Sequence, residues 1–310
     1  MKVLVTGATG LIGSHLCRRL HLKGHAVVAF SRRPERARRE LPELSAAYAW
    51  QPDAEAATAD AFAGVDVVVH LAGESVAGRW TNEKKRRIHE SRERGTRCLV
   101  SAMAGAPRRP DLLLSSSAIG FYGERGDEEL TESSPPGNDF LARVCQAWEG
   151  EAVRAADLGV RVVRMRTGIV LAGAGGALEK MLPPFRLGVG GRLGSGRQWW
   201  SWIHLEDLVS SIEFLMTGRH EGAFNLTSPR PARQADFARV LGRVLGRPAV
   251  VPTPAFVLRA GLGGFAEELL SSKKVLPRRL EEAGYRPSFA ELPAALENLL
   301  GNGQGAASTR

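Results

Sequence analysis

Gly7, Thr9, Gly10, Leu11, Ile12 and Gly13, within Thr6-Gly7-Ala8-Thr9-Gly10-Leu11-Ile12-Gly13, are the first residues whose types and spacing could do chemistry. The chemistry is the binding of a pyrophosphate. Glycine backbone leading into a helix presents free N–H groups and the positive end of the helix dipole to an anion. Gly7 permits the tight turn, Gly10 lets backbone approach phosphate, and Gly13 lets helix pack on strand. A second set lies at Ser31-Arg32-Arg33, where a site selective for NAD would carry an acidic residue for the ribose hydroxyls. Guanidinium and hydroxyl groups there suit a ribose 2′-phosphate, so the expected cofactor is NADP(H). Leu71, Ala72 and Gly73 would let the cofactor's adenosine-diphosphate portion lie against backbone, and Ser115-Ser116-Ser117 offers hydroxyls to a ligand crevice.

These residues need particular elements behind them. Met1 to Val5 reads as a buried strand, and Leu11, Ile12, Leu16 and Leu20 as the apolar spacing of a helix. Further strands are expected at Ala26–Phe30, Leu44–Trp50, Val65–His70, Asp111–Leu114, Arg161–Arg166 and Gly222–Leu226. Helices are expected at 53–62, 81–104, 140–158 and 233–245, with another opening at His204. The alternation predicts an α/β fold: a Rossmann-type doubly wound parallel sheet with a smaller, mostly helical C-terminal lobe. Residues 1–220 form the expected cofactor-binding domain, with part of the substrate lobe from about 173. Residues 247–297 form a separate C-terminal region and 301–310 a flexible tail. His70 reads as a strand-end core residue and Asp207 as a cap or pinning group. The glycine-rich stretch 173–196, with Arg192, Arg197, Trp199, Trp200 and Trp202 in or after it, has two readings: a pocket wall for an anionic substrate, or a packed lobe interface.

Composition narrows the classes. The 310 residues carry a net charge of +9 and three scattered cysteines, which make neither a disulfide framework nor a metal pair. No metal site is expected. No apolar run is long enough to span a bilayer, and the N-terminus enters a strand without a signal peptide. The expectation is a cytoplasmic protein that acts on a small molecule, does not engage a membrane, and leaves a homodimer open. The basic cluster at Arg32, Arg33, Arg36, Arg38 and Arg39 lacks interleaved aromatics, so no nucleic-acid partner is expected.

Taken together, the Thr6–Gly13 loop, Leu71-Ala72-Gly73, Ser115-Ser116-Ser117-Ala118, Tyr122-Gly123, Arg166-Thr167-Gly168 and His204-x-x-Asp207 resemble the extended short-chain dehydrogenases/reductases. Leu71-Ala72-Gly73-Glu74, Met181 to Gly188, Gly194 to Gln198 and Lys274 to Arg279 resemble its atypical "epimerase family protein" subgroup, over nearly the whole chain. The resemblance implies that Ser115, Arg166 and Thr167 join the cofactor contacts and that Ser117 assists catalysis. Active relatives use a Tyr-x-x-x-Lys pair, and the matching positions here are Leu141 and Cys145. An asparagine of the preceding helix is matched by Arg92. The implied activity is an NADP(H)-dependent oxidoreductase or epimerase with a rearranged set drawn from Ser117, Tyr122, Cys145 and Arg92. The alternative is a cofactor-binding sensor or assembly protein without catalysis.

Overall fold

The structure is a computed structural model that describes residues 1–52 and 58–301. The first half of the chain runs β1 (Lys2–Thr6), α1 (Leu11–Leu22), β2 (Ala26–Ser31), α2 (Pro34–Glu40), β3 (Ala46–Ala49), β4 (Val67–His70), α3 (Asn82–Ala104), β5 (Leu112–Ala118), β6 (Glu129–Leu130), α4 (Phe140–Val153) and β7 (Arg161–Thr167). There follow β8 (Ile169–Leu171), α5 (Gly176–Arg186), β9 (Trp199–Trp200), β10 (Trp202–His204), α6 (Leu205–Thr217), β11 (Gly222–Leu226), β12 (Ala232–Arg233) and α7 (Gln234–Val244). The chain closes with α8 (Ala255–Leu262), α9 (Phe265–Leu270), β13 (Lys274–Val275), α10 (Arg278–Glu282) and α11 (Leu292–Leu300).

Seven strands form one parallel sheet in the order β11-β7-β5-β4-β1-β2-β3. The order reverses at β1: the chain moves outward through β2 and β3, then returns to place β4 on the other side. That reversal opens a crevice at the carboxyl ends of β1 and β4, where sheets of this kind bind ligands. Apolar runs make the strands. Val3, Leu4, Val5, Val68, Val69, Leu112, Leu113 and Leu114 are all fully buried, as expected where helices cover both faces. Thr81 caps α3 by accepting the Lys84 N–H at 3.1 Å, and Asp139 caps α4 through the Ala142 N–H at 2.8 Å.

The chain divides into two compact units. The first comprises Met1–Gly123, Pro135–Arg166 and Val209–Phe224; the second comprises Glu124–Ser134, Thr167–Leu208 and the chain from Asn225 onward. The core of the first packs Leu4, Phe30, Phe62, Leu99, Met103 and Leu113. That of the second packs Leu178, Leu182, Trp200, Trp202, Phe237, Leu241 and Leu296.

Two expectations change within the second unit. The glycine-rich stretch contains the eleven-residue helix α5, whose Leu178, Leu182 and Phe185 are buried at helical spacing despite Pro183 and Pro184 inside it. Flanking glycines and the proline pair masked that periodicity. Trp200 and Trp202 are core residues whose indole N–H groups bond the Leu269 and Arg230 carbonyls, so packing wins over a pocket wall at both. Trp199 instead lies half-buried against the Arg233 guanidinium, 4.1 Å from the ring centre. Asp207 acts as a pin: its carboxylate accepts the N–H groups of Ser288 and Phe289 at 2.7 and 2.9 Å. The helix expected over 53–62 appears as a 3-10 turn at Ala59–Phe62, with 53–57 outside the described residues. The tail beyond 301 also lies outside them.

Candidate active site

The glycine turn is shaped by contacts that no side chain could share. Gly7 sits at φ +69°, and a Cβ there would come 2.9 Å from the Leu71 carbonyl carbon. A Cβ on Gly13 would lie 2.3 Å from the Gly7 carbonyl oxygen, so this glycine lets α1 press against the turn. Gly10 is the N-cap of α1; no side chain caps the helix and no acidic residue occupies its first turn. Thr9 and Gly10 are exposed while Leu11 and Ile12 are half-buried. The helix end thus presents uncapped N–H groups and an unneutralised dipole at the mouth of the crevice. The residues present fit a dinucleotide pyrophosphate.

Beneath the turn lies a polar pin. Thr6 Oγ1 accepts the N–H groups of Leu71 and Ala72, each at 3.1 Å, and lies 2.7 Å from His70 Nδ1. With its lone pairs engaged, the Thr6 hydroxyl donates to Nδ1, which assigns the remaining proton to His70 Nε2, 3.1 Å from Thr96 Oγ1. Burial, with a smaller contribution from Arg92, pulls the His70 pKa down to about 4, so the ring is neutral near pH 7. His70 fastens the ends of β1 and β4 where the crevice begins.

Ser31 ends β2, and its Oγ accepts the Arg33 N–H at 3.1 Å. Arg32 and Arg33 are exposed and form no close ion pair among the described residues, although, after the Lys84 hydrogen bond, the Arg32 charge helps to hold the Glu74 carboxyl below its usual range. Gly73 follows β4 and faces Arg92 of α3: a Cβ on Gly73 would lie 3.5 Å from Arg92 Cζ. Arg92 Nη1 donates to the Glu74 and Ile88 carbonyls at 3.0 and 3.1 Å, and its Cζ lies 5.0 Å from the Trp148 ring centre. Burial lowers its pKa, but a guanidinium keeps its charge. Nε and Nη2 donate to none of the described residues.

The end of β5 carries a second, enclosed cluster. Ser117 donates to Glu149 Oε1 at 2.7 Å. Arg166 grips the same carboxylate through Nε and Nη2, at 2.8 and 2.9 Å, and Arg164 adds a contact at 3.1 Å. Arg166 also donates to the Tyr122 hydroxyl at 3.0 Å and stacks 3.5 Å over Phe121. Ser117, Glu149 and Arg166 are each 4 % exposed and Tyr122 is 0 % exposed. Burial works against the Arg166 cation, but Glu149 and Tyr122 outweigh it and raise its pKa.

The expected site residues are therefore distributed unevenly. Gly7 to Gly13, Leu71 to Gly73 and Arg92 converge at the crevice end of β1 and β4. Ser115 is buried and its hydroxyl turns to the Ser116 carbonyl. Thr167 is the last residue of β7. Arg166, expected among the cofactor contacts, commits its guanidinium to Glu149 and Tyr122 because an unpaired buried carboxylate would be costly. Leu141 and Cys145 lie on the buried face of α4 beside Gly120. The Cys145 thiol points to the Ala118 carbonyl at 3.8 Å, and burial pushes its pKa up to about 12. Glu149 is absent from the residues expected at the site, although a carboxylate among the apolar positions Leu141, Val144, Cys145, Trp148 and Ala152 was a readable signal.

Comparison with known proteins places this geometry. Residues 3–227 match the family model of the NAD dependent epimerase/dehydratase family, and residues 253–299 match a domain of unknown function, DUF1731. The chain is 39% identical to the chloroplastic epimerase family protein SDR39U1 homolog of Arabidopsis thaliana, covering 97% of this chain and 87% of the relative. It is 37% identical to mouse epimerase family protein SDR39U1, covering 97% and 100%. The crystal structure of human epimerase family protein SDR39U1 with NADPH superposes with a TM-score of 0.85 at 34% identity, covering 97% and 100%. Among the described residues no helix is long and apolar enough to cross a membrane. A glycine cradle at the sheet's reversal point, in a chain matched by these relatives over nearly its whole length, makes this an NAD(P)-binding member of the NAD dependent epimerase/dehydratase family.

Proposed function

We propose that this protein is an NADP(H)-dependent oxidoreductase or epimerase acting on a small hydroxyl- or carbonyl-bearing molecule. The observation that carries the cofactor preference is the exposed pair Arg32 and Arg33 beside the Ser31 hydroxyl, where selectivity for NAD needs a carboxylate. The human relative solved with NADPH supports the same reading. The bound nicotinamide would supply hydride exchange at a substrate carbon.

The chain's own contribution follows from proton positions. The Ser117 hydroxyl proton is committed to Glu149, so any contact it makes with a substrate hydroxyl would be as an acceptor. Arg92, with donors in hand beside Gly73, would stabilise negative charge developing on that oxygen. Leu141 has no donor, and the Cys145 thiol is too weak an acid near neutral pH. Tyr122, wholly enclosed against Arg166, acts in this reading as a positioning residue. A second reading, a catalytically silent NADP(H) sensor, is favoured by Leu141 and Cys145 occupying the Tyr and Lys positions of active relatives.

Calorimetric titration tests the preference. NADPH should bind at least tenfold more tightly than NADH, and Arg32→Asp should remove or invert the difference. Equal affinities in the unmutated protein overturn it. A screen of carbonyl compounds and nucleotide sugars, read by NADPH absorbance, separates the two readings: tight NADPH binding with no turnover throughout selects the sensor.

A further inference from the structure

The second unit holds a basic groove that the nicotinamide chemistry does not use. A concavity of about 410 Å³ is lined by Arg192, Arg239, Arg243 and Arg247 with Ala235, Ala249 and Val250. Helix geometry sets up half of it. Arg239 and Arg243 lie four residues apart on α7, hence on one face. After the positive-φ turn at Gly246 the chain doubles back across Gly242, where a Cβ would meet the Arg247 carbonyl oxygen at 2.7 Å and Ala249 Cβ at 2.8 Å. That close crossing brings Arg247 and Val250 alongside the helix. Arg192 is held on the facing segment, its carbonyl accepting the Thr253 N–H at 2.8 Å and its Nη1 donating to the Ser195 carbonyl at 3.0 Å.

The charge balance is one-sided. No carboxylate lines the groove. Arg239 is paired with Asp236 at 2.7 Å, whereas Arg192, Arg243 and Arg247 have no carboxylate partner among the described residues. Guanidinium groups present flat N–H forks that match phosphate oxygens two at a time. The volume lies within the range of small-molecule sites, roughly 300–1,000 Å³. Val250, 76% exposed, and the two alanines give the groove an apolar floor for an organic portion. We propose that this groove binds a small organic polyphosphate, with Arg192, Arg243 and Arg247 holding its phosphate oxygens. The inference stands on these residues alone and does not depend on the catalytic reading of the first unit.

The test uses the full chain and sodium tripolyphosphate as probe, titrated calorimetrically with and without saturating NADPH, at low and at physiological salt. Saturable binding is expected that persists with NADPH present and in the Gly10→Val variant. The Arg243→Gln/Arg247→Gln double variant and Arg192→Gln alone should bind tripolyphosphate at least tenfold more weakly, with the NADPH titration unchanged. Absence of saturable binding in the unmutated protein, undiminished binding in both variants, or complete displacement by NADPH overturns the proposal. Tighter binding of single-stranded RNA or of phosphoinositide vesicles than of tripolyphosphate, lost in the double variant, overturns it in favour of a macromolecular or membrane ligand.

Discussion

The glycine turn of β1 and the enclosed cluster at the end of β5 lie in the same unit and are built in opposite ways. The turn is made of backbone: its working groups are N–H donors, and its constraints are places where a Cβ would strike a carbonyl. The β5 cluster is made of side chains, with Ser117, Tyr122, Glu149 and Arg166 drawn from up to 49 positions apart around one carboxylate. A backbone site is open to a ligand and tolerant of what surrounds it. A buried charge cluster is satisfied internally, and each member depends on the others.

The largest expected effect tests that dependence. Glu149→Ala leaves Arg166 buried without its partner and should cost about 3–5 kcal/mol, read as a drop in the urea unfolding midpoint. A loss below about 1 kcal/mol would mean that the cluster is not the tightly coupled unit its geometry describes.

The pin under the turn has its own signature. His70 has a folded pKa lowered from 6.5 to about 4, so the unfolded chain binds the proton more readily. Stability from this group is therefore full above pH 6.5 and is lost as pH falls toward 4, by an amount on the order of 3 kcal/mol. Denaturant titrations at pH 7 and pH 5, compared with His70→Gln, check it: the variant should lose this part of the slope.

Gly10→Val separates binding from folding. The added side chain would occupy space needed by a pyrophosphate, lowering NADPH affinity by more than about 100-fold, roughly 2.7 kcal/mol, while the unfolding midpoint should fall by less than for Glu149→Ala, the added Cβ pressing on the Gly7 carbonyl oxygen at 3.2 Å. If the midpoint falls as far as for Glu149→Ala, the turn is as cooperative as the cluster and the contrast fails. Tyr122→Phe should leave NADPH affinity unchanged and cost about 1.5–3 kcal/mol of stability, through loss of the charge-assisted bond donated by Arg166.

The same contrast explains what could be read from the sequence. Gly7, Gly10 and Gly13 fall in one short stretch, after an apolar strand and before a periodic helix, so turn, strand and helix were legible together. The sheet was legible for a similar reason: Val67 to His70 and Leu112 to Leu114 are continuous buried runs. Glu149 carries a weaker mark, a carboxylate among the apolar positions of α4, and Arg166 stands in a motif that pointed to the cofactor rather than to Glu149. Their relation to each other exists only once α4 and β7 are side by side. Helix α5 was hidden differently, by prolines and glycines that signal turns while Leu178, Leu182 and Phe185 still bury one face.

One pairing in the second unit bears on how the chain is made. β13 pairs in parallel with β6, joining Lys274 to Glu129 and Val275 to Leu130. Ser201 Oγ reinforces the join by donating to the Lys273 carbonyl and accepting the Val275 N–H, both at 2.8 Å. The Lys274–Glu129 ion pair spans 145 positions. At a synthesis rate of about 5–20 residues per second, Leu130 waits roughly 7–30 s for its partner strand to be translated. Through that interval the β6 edge lacks the strand it pairs with in the finished fold. The segment matched by DUF1731 thus supplies the strand that β6 pairs with, and this pairing can form only after Lys274 and Val275 have been translated.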